Sequence, residues 1–210
     1  MEFLAETLEP NLDDNDVKAS IRIYLNHLLD TNRKVNLVSR QMTADGLTQL
    51  VNETILLNSY ITHDVIIDAG SGSGILGIPI ALMARGDRAT RRVVLIEPNG
   101  KKYHFLEEVK QSMNLVNVDA YRVRLEEYMK QLKKQESLPV SLVSRGFPDV
   151  TLFGRYLHQR LIDEVLVISS ENKIKLFGKN MESLSKRTYN IPLRNELKIF
   201  KIRRIGERNE

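Results

Sequence analysis

The strongest chemical signal in this 210-residue chain is a glycine-rich segment that follows a short apolar run. The segment reads Ile67-Asp68-Ala69-Gly70-Ser71-Gly72-Ser73-Gly74-Ile75-Leu76-Gly77-Ile78-Pro79. Glycines at 70, 72 and 74 allow positive φ angles and leave no side chain between the backbone and a ligand. Because proline is accepted in the first turn of a helix, Pro79 predicts a helix that begins near Gly77, with a long loop before it.

Two acidic residues, Asp68 and Glu97, decide which ligand suits this loop. The stretch from Gly72 to Gly77 also fits the dinucleotide-binding pattern G-x-G-x-x-G, and Glu97 follows at about the distance that the pattern requires. The carboxylate of Asp68 would repel a pyrophosphate, whereas it would attract the sulfonium and ammonium groups of S-adenosylmethionine. Glu97 would accept hydrogen bonds from ribose hydroxyls in either case. We predict S-adenosylmethionine as the cofactor, with a nicotinamide or flavin nucleotide and a ligand-free turn as alternatives.

The elements around this loop predict an α/β fold with a doubly wound, mostly parallel sheet. Short runs rich in β-branched residues alternate with helical stretches, an order typical of such sheets. The predicted strands are 65–67, 93–96, 118–123, 140–143 and 165–168, and the predicted helices lie near 78–85, 100–114, 125–135 and 149–162. Ligands bind beyond the carboxyl ends of the strands where strand order reverses. We therefore expect functional residues in the loops after the first, second and fourth strands.

The N-terminal part of the chain has a different pattern, in which apolar residues recur at helical spacing without intervening strands. This spacing predicts amphipathic helices over 17–31 and over about 47–61. We predict a helical extension over residues 1–62 packed on a Rossmann-like domain over residues 63–210.

Composition excludes several functional classes. The chain has no cysteine, so thiol nucleophiles, disulfides and thiolate zinc sites are ruled out, and its four histidines do not stand at metal-ligand spacing. The longest apolar stretch is about half of the ~20 residues that a membrane span needs, and the first residues are acidic where a signal peptide is basic. We expect a cytoplasmic protein with no metal and no membrane partner.

The formal net charge of +4 is unevenly distributed. Residues 171–210 contain 11 basic and 5 acidic residues, so the rest of the chain is slightly acidic. A basic end of this kind predicts either a nucleic-acid contact or an ordinary solvated edge. The candidate contacts are Lys173, Lys175, Lys179, Lys186, Arg187, Lys198 and Lys201, with Arg33, Lys34 and Arg40 as N-terminal competitors.

Four motifs in one order resemble the glucose-inhibited division protein B family, bacterial enzymes that form 7-methylguanosine in 16S ribosomal RNA. The motifs are the glycine-rich stretch 68–81, Glu97-Pro98-Asn99-Gly100-Lys101-Lys102, Arg124-Leu125-Glu126-Glu127 and Ser144-Arg145-Gly146-Phe147. Together with Asn32 to Val38, the resemblance covers about residues 20–147. It implies a class I S-adenosylmethionine-dependent methyltransferase fold and ribosomal RNA, or the small ribosomal subunit, as partner.

The resemblance also implies roles for individual residues. Gly70 and Ile75 would line the methionine and ribose part of the cofactor site, Glu97 would hold the ribose, Leu125 and Glu126 would flank the adenine, and Arg145 would be the cofactor-site arginine. No catalytic acid or base is predicted.

The chain departs from the family pattern on the substrate side. It has Ile55 in place of a histidine, Asn58 in place of an aspartate, Gly146 in place of an alanine and Ser169-Ser170 in place of Lys-Gly. A methyltransferase acting on a small molecule or another nucleic acid, and a non-catalytic binding paralogue, therefore remain as alternatives.

Overall fold

The computed structural model describes residues 12, 14–84, 90–132, 139–175, 184–192 and 196–205. The helices within these ranges are α1 (Asn15–Asn32), α2 (Ala44–Asn58), α3 (Gly77–Met83), α4 (Gly100–Ser112), α5 (Leu125–Leu132), α6 (Thr151–His158) and α7 (Glu171–Lys175). The strands are β1 (Val65–Ala69), β2 (Arg92–Ile96), β3 (Val118–Tyr121), β4 (Val140–Arg145), β5 (Glu164–Ser169), β6 (Leu184–Asn190) and β7 (Lys198–Arg204).

The strands form one sheet in the order β3-β2-β1-β4-β5-β7-β6. The five strands from β3 to β5 are parallel, whereas β7 runs antiparallel to both β5 and β6. Strand order reverses between β1 and β4, so the loops that follow these two strands lie side by side at the carboxyl edge. The predicted doubly wound, mostly parallel α/β sheet is confirmed.

The side chains of alternate residues along the strands pack in two separate apolar layers, one on each face of the sheet. Ile66 packs with α1 to α4, whereas its neighbour Ile67 packs with α5 and α6. Parallel strands buried on both faces must be apolar throughout, which is why the central strands read as runs of Val, Ile and Leu. The N-terminal helices α1 and α2 belong to the same apolar layer as α3 and α4.

Side-chain caps set the starts of both N-terminal helices. Asp14 accepts hydrogen bonds from the amides of Asp16 and Val17 at the start of α1. Thr43 accepts one from the Gly46 amide, and α2 therefore begins three residues earlier than the apolar spacing predicts. Both predicted helices are present with shifted boundaries.

The strands β6 and β7 are the largest elements that the sequence does not predict. The β6 strand is an edge strand with residues 185–188 exposed, so it has no apolar face to reveal it. In β7 the buried Ile199, Phe200 and Ile202 alternate irregularly with basic residues. A strand that pairs on one or both sides can tolerate such residues because backbone hydrogen bonds do not depend on side-chain type.

A buried charge network joins this C-terminal part of the sheet to the segment before β1. Glu164, fully buried at the start of β5, accepts hydrogen bonds from the amide and hydroxyl of Thr62 (both 2.8 Å) and from the Ser141 hydroxyl (2.5 Å). Lys201 Nζ lies 2.9 Å from the Glu164 carboxylate and donates to the Tyr60 carbonyl at 2.7 Å. Burial alone would raise the pKa of Glu164, but these donors outweigh it and the pKa is lowered.

The same network corrects part of the predicted nucleic-acid surface. Lys201 is buried against Glu164, and Lys198 is ion-paired with Glu171 at 2.5 Å. Both lysines are therefore engaged within the protein, although the sequence predicted them as candidate nucleic-acid contacts. Lys179 and the side chain of Lys175 lie outside the described residues. Lys173, Lys186 and Arg187 are exposed.

We expect Lys201→Met to lower the free energy of unfolding by about 1.5–3 kcal/mol, because it removes a charged hydrogen-bond donor from the buried Glu164 carboxylate and leaves only Arg203, at 3.7 Å, as its cation. Since the folded-state pKa of Glu164 is lowered, its contribution is present above its ordinary value of 4.5 and is lost as pH falls through the lowered pKa. Urea denaturation at pH 7 measures the first effect, and a series from pH 5 down to pH 2 measures the second.

Lys198→Met is the matched control, since it removes the same residue type from the same strand but breaks a more exposed pair, worth about 0–1 kcal/mol. Equal losses for the two variants would show that the Glu164 network does not stabilise the fold.

Candidate functional site

The glycine-rich loop between β1 and α3 lies at the reversal of strand order. Its first amides, those of Gly70 and Ser71, both donate to the Ile96 carbonyl at 3.0 Å, which ties the loop to the end of β2. Gly72 has a φ of 60°, and an added Cβ there would have no atom closer than 3.9 Å. By contrast, an added Cβ on Gly74 would come within 2.8 Å of Ile78 and Leu106. Gly74 therefore permits close packing, whereas Gly72 faces open space that a ligand can fill.

Two buried hydroxyls from the N-terminal helices hold the other side of this loop. The Tyr24 hydroxyl of α1 donates to the Ser73 carbonyl at 2.9 Å. The Thr54 hydroxyl of α2 shares its proton between the Ile75 carbonyl of the loop and the Leu50 carbonyl of its own helix, both at 3.0 Å. Burial raises the pKa of Tyr24, so its hydroxyl stays a donor. Neither contact was predicted, because the partners are distant in sequence and both hydroxyls fit the apolar face of a helix.

Asp68 is a buried carboxyl group directly below the loop. Its Oδ2 accepts a hydrogen bond from the Gly77 amide at the start of α3, at 3.0 Å. Gly77 can approach this closely because it lacks a side chain, since an added Cβ would lie 2.2 Å from Leu95. Burial raises the pKa of Asp68 to about 7, against the opposing effect of the Gly77 amide and with a further rise from Glu97. A cation placed nearby would favour the ionised form.

Glu97 lies across the loop from Asp68 at the end of β2. One carboxylate oxygen accepts from the Gly72 amide at 2.8 Å, and the other accepts from the Asn99 amide at 2.7 Å. The side chain is largely buried. Because a carboxylate has about four lone-pair sites, these two bonds leave acceptor capacity for hydroxyl groups of a ligand.

Arg145, the last residue of β4, is held by an acidic residue that the sequence did not reveal. Its guanidinium forms a charged hydrogen bond with Glu53 of α2, which is only 2% exposed. The two residues are far apart in the chain, and Glu53 stands among the buried residues of its helix. Apolar spacing along α2 therefore gave no signal of the pair.

The remaining predicted residues occupy different environments. Leu125 is buried in the layer formed by α5 and α6, whereas its neighbour Glu126 is exposed. Ile75 is buried in the loop, and Gly70 lies against Phe147, whose ring would be 3.2 Å from an added Cβ. The structure thus gathers the predicted residues of the β1, β2 and β4 loops around the strand reversal. Leu125 and Glu126 stand one loop away, after β3.

Comparison with known proteins agrees with this geometry. A family model described as GidB, rRNA small subunit methyltransferase G, matches residues 17–197. The chain belongs to this family. The resemblance found in the sequence is therefore confirmed, and the chain is an S-adenosylmethionine-dependent methyltransferase.

Individual relatives and one solved structure illustrate the similarity. The ribosomal RNA small subunit methyltransferase G of Fusobacterium nucleatum is 25% identical over 217 residues, covering 97% of this chain and 90% of the relative. The Xylella fastidiosa protein of the same name is 34% identical over 103 residues, covering 49% of this chain and 47% of the relative. The N-terminal domain of human METTL16, solved in complex with SAH, shares the fold with a TM-score of 0.58 at 9% identity, covering 97% of this chain and 90% of that one.

Among the described residues, no helix has both the length and the apolar character that a membrane crossing requires.

We expect the affinity of this methyltransferase for S-adenosylmethionine to rise as pH increases from 6 to 7.5. The carboxyl group of Asp68, with its pKa raised to about 7, ionises over this range and then attracts the positive groups of the cofactor. Asp68→Asn should remove most of this rise and weaken binding at least tenfold at pH 7.5, as measured by calorimetry.

Stability provides the control for the same variant. Because the pKa of Asp68 is raised in the folded state, its ionisation lowers stability as pH rises from its ordinary value of 3.8 towards about 7. Asp68→Asn without cofactor should therefore melt no lower than the unchanged protein at pH 7.5. If the variant keeps the full pH dependence of binding, Asp68 does not face the cofactor's positive groups.

Proposed function

We propose that this methyltransferase acts on the N7 atom of a guanine in 16S ribosomal RNA, within the small ribosomal subunit. The observation that carries the proposal is the pair of buried carboxyl groups, Asp68 and Glu97, that bracket an open glycine loop at the strand reversal. The chain's family, which is described as rRNA methyltransferases, supplies the substrate class.

The residues around the loop fit the chemistry of S-adenosylmethionine. Gly72 offers open space beside the backbone, Glu97 has acceptor capacity for ribose hydroxyls, and Asp68 provides negative charge for the methionine end. Ile75 and Gly70 would line the cofactor, and the loop that follows β3 would flank the adenine through Leu125 and Glu126. These assignments rest on position and on the family motifs.

Arg145 would contribute through its fixed orientation. Its partner Glu53 holds the guanidinium at the carboxyl end of β4, next to β1, so the group is already ordered before a ligand arrives. An ordered cation loses less conformational entropy when it contacts a carboxylate or phosphate. We therefore infer that Arg145 contacts an anionic part of the cofactor or of the RNA.

Methyl transfer to guanine N7 requires little acid–base catalysis by the protein. When bound, S-adenosylmethionine supplies an electrophilic methyl group on its sulfonium sulfur. Guanine N7 has an in-plane lone pair and no proton, so a nitrogen–carbon bond forms while the carbon–sulfur bond breaks and its electrons stay on sulfur. No proton has to be removed, and the chain's residues need only align the two reactants.

One departure from the family pattern has a structural explanation. Asn58, which stands where the family has an aspartate, accepts a hydrogen bond from the buried guanidinium of Arg91 at 2.6 Å. Arg91 also donates to the Ile61 carbonyl at 3.3 Å. The position thus joins the end of α2 to the start of β2, a role that asparagine can fill.

We expect Gly72→Ala to weaken S-adenosylmethionine binding at least tenfold in calorimetry, since the new methyl group enters the space assigned to the cofactor. The positive φ of Gly72 adds a backbone cost of about 1–2 kcal/mol. Asn114→Ala provides a comparison for backbone strain, because Asn114 has a φ of 49° in the turn after α4. Unchanged affinity in Gly72→Ala would exclude the loop from the cofactor site.

The decisive experiment is methyl transfer from labelled S-adenosylmethionine to 30S subunits purified from a strain that lacks this protein. We expect label in 16S RNA at a guanine that becomes sensitive to borohydride and aniline cleavage, the behaviour of 7-methylguanosine. Label in 50S subunits or in small molecules alone would contradict the proposed substrate. Cofactor binding without any transfer would identify a non-catalytic paralogue.

A further inference from the structure

Four basic residues, two in the first turn of α4 and two in the loop after β3, form a charged rim at the carboxyl edge of the sheet. The rim consists of Lys101, Lys102, Arg122 and Arg124. Three of these side chains are exposed and that of Lys102 is half-buried. Within the parts of the chain that the structure describes, none of the four forms an ion pair.

The segments that carry the rim residues lie side by side. Arg122 follows the last residue of β3, and its guanidinium lies against Gly100, where an added Cβ would be only 2.9 Å away. Gly100 begins α4, and Lys101 and Lys102 occupy its first turn. The loops are also joined by the backbone, since the Glu97 amide donates to the Tyr121 carbonyl at 3.1 Å.

This arrangement is electrostatically unfavourable for the protein alone. Cations near the N-terminus of a helix oppose its dipole, and the first turn of α4 contains no acidic residue. The amides of Lys101 and Lys102 are already satisfied by the Asn99 side chain, at 3.0 and 3.2 Å, so they do not form an anion site themselves. The unbalanced charge therefore belongs to the side chains, which can reach outwards.

The rim is also close to the part of the proposed cofactor site that would hold the ribose. Glu97, whose carboxylate accepts from the Asn99 amide, is separated from Lys101 only by residues 98–100. An RNA strand that brings a base to the cofactor reaches the carboxyl edge of the sheet, where the rim also lies.

The basic residues of β6 are placed less favourably for that task. Through the pairing of neighbouring strands, Tyr189 of β6 is aligned with Arg145 of β4. Lys186 precedes Tyr189 by three residues. It is therefore about 10 Å from that position along the strand. The β6 strand is also four strands from β1, which leads into the cofactor loop, about 19 Å across the sheet, whereas β3 is only two strands from β1. The N-terminal competitors are partly engaged, since Arg33 pairs with Asp30 and Arg40 with Asn36.

We propose that the rim formed by Lys101, Lys102, Arg122 and Arg124 binds the phosphate backbone of the substrate RNA and guides the target strand to the cofactor. This inference rests on the proposed function, because it takes RNA as the substrate. The recognition is of phosphate charge, so it positions the strand without reading its sequence.

The test compares two double variants that each remove two exposed cations. Lys101→Ala/Arg122→Ala alters the rim, and Lys186→Ala/Arg187→Ala alters the β6 edge. Binding of a 16S RNA transcript is measured by filter retention between 50 and 250 mM KCl. Each lost phosphate contact reduces the slope of log affinity against log salt by about 0.7, so we expect the rim variant to lose about 1.4 and the β6 variant to match the unchanged protein.

Methyl transfer and cofactor affinity complete the test. The rim variant should show at least a tenfold higher KM for 30S subunits, with its S-adenosylmethionine affinity and melting temperature unchanged. A rim variant whose slope equals that of the unchanged protein would overturn the inference, and so would an equal or larger loss in the β6 variant. No methyl transfer by the unchanged protein would instead overturn the proposed function, while the salt slopes would still decide the RNA contact.

Discussion

The cofactor loop depends on hydrogen bonds that reach it from both sides. Glycine-rich backbone has high conformational entropy, so it adopts one shape only when its polar groups are held. Amides at the start of the loop are bound by Ile96 and Glu97, and carbonyls at its end are bound by the buried hydroxyls of Tyr24 and Thr54. The N-terminal helices are therefore part of the cofactor site's architecture, because without their hydroxyls two buried carbonyls would lose their partners.

The same edge of the sheet holds acidic groups at a cost to the unliganded protein. Burial raises the pKa of Asp68 to about 7, and the nearby carboxylate of Glu97 adds to this rise. A cationic ligand relieves this cost by stabilising the carboxylate. Groups that are preorganised for a ligand commonly lower the stability of the protein when the ligand is absent.

Basic residues in this protein serve two different purposes, which net charge does not separate. In the C-terminal strand β7, Lys201 and Arg203 lie near the buried Glu164, at 2.9 and 3.7 Å, and stabilise the sheet. In the first turn of α4 and the loop after β3 the basic residues have no such partner among the described residues. The more basic segment of the sequence is thus partly structural, while the less conspicuous Lys101, Arg122 and Arg124 are exposed.

Local pattern in the sequence determined the five parallel strands, the helices between them and the glycine loop, because these depend on side-chain periodicity and on glycine and proline within a few residues. It also determined Asp68 and Glu97, since Asp68 lies at the end of β1 and Glu97 directly follows β2. Tertiary structure alone decided the Glu53–Arg145 pair, the hydroxyls that hold the loop and the burial of Lys201. These contacts join residues far apart in the chain, and a charged or hydroxyl side chain looks the same in sequence whether it meets water or a partner. The strands β6 and β7 also depended on tertiary structure. They form through backbone pairing at the end of the sheet, and their sequences have no apolar pattern that would predict them.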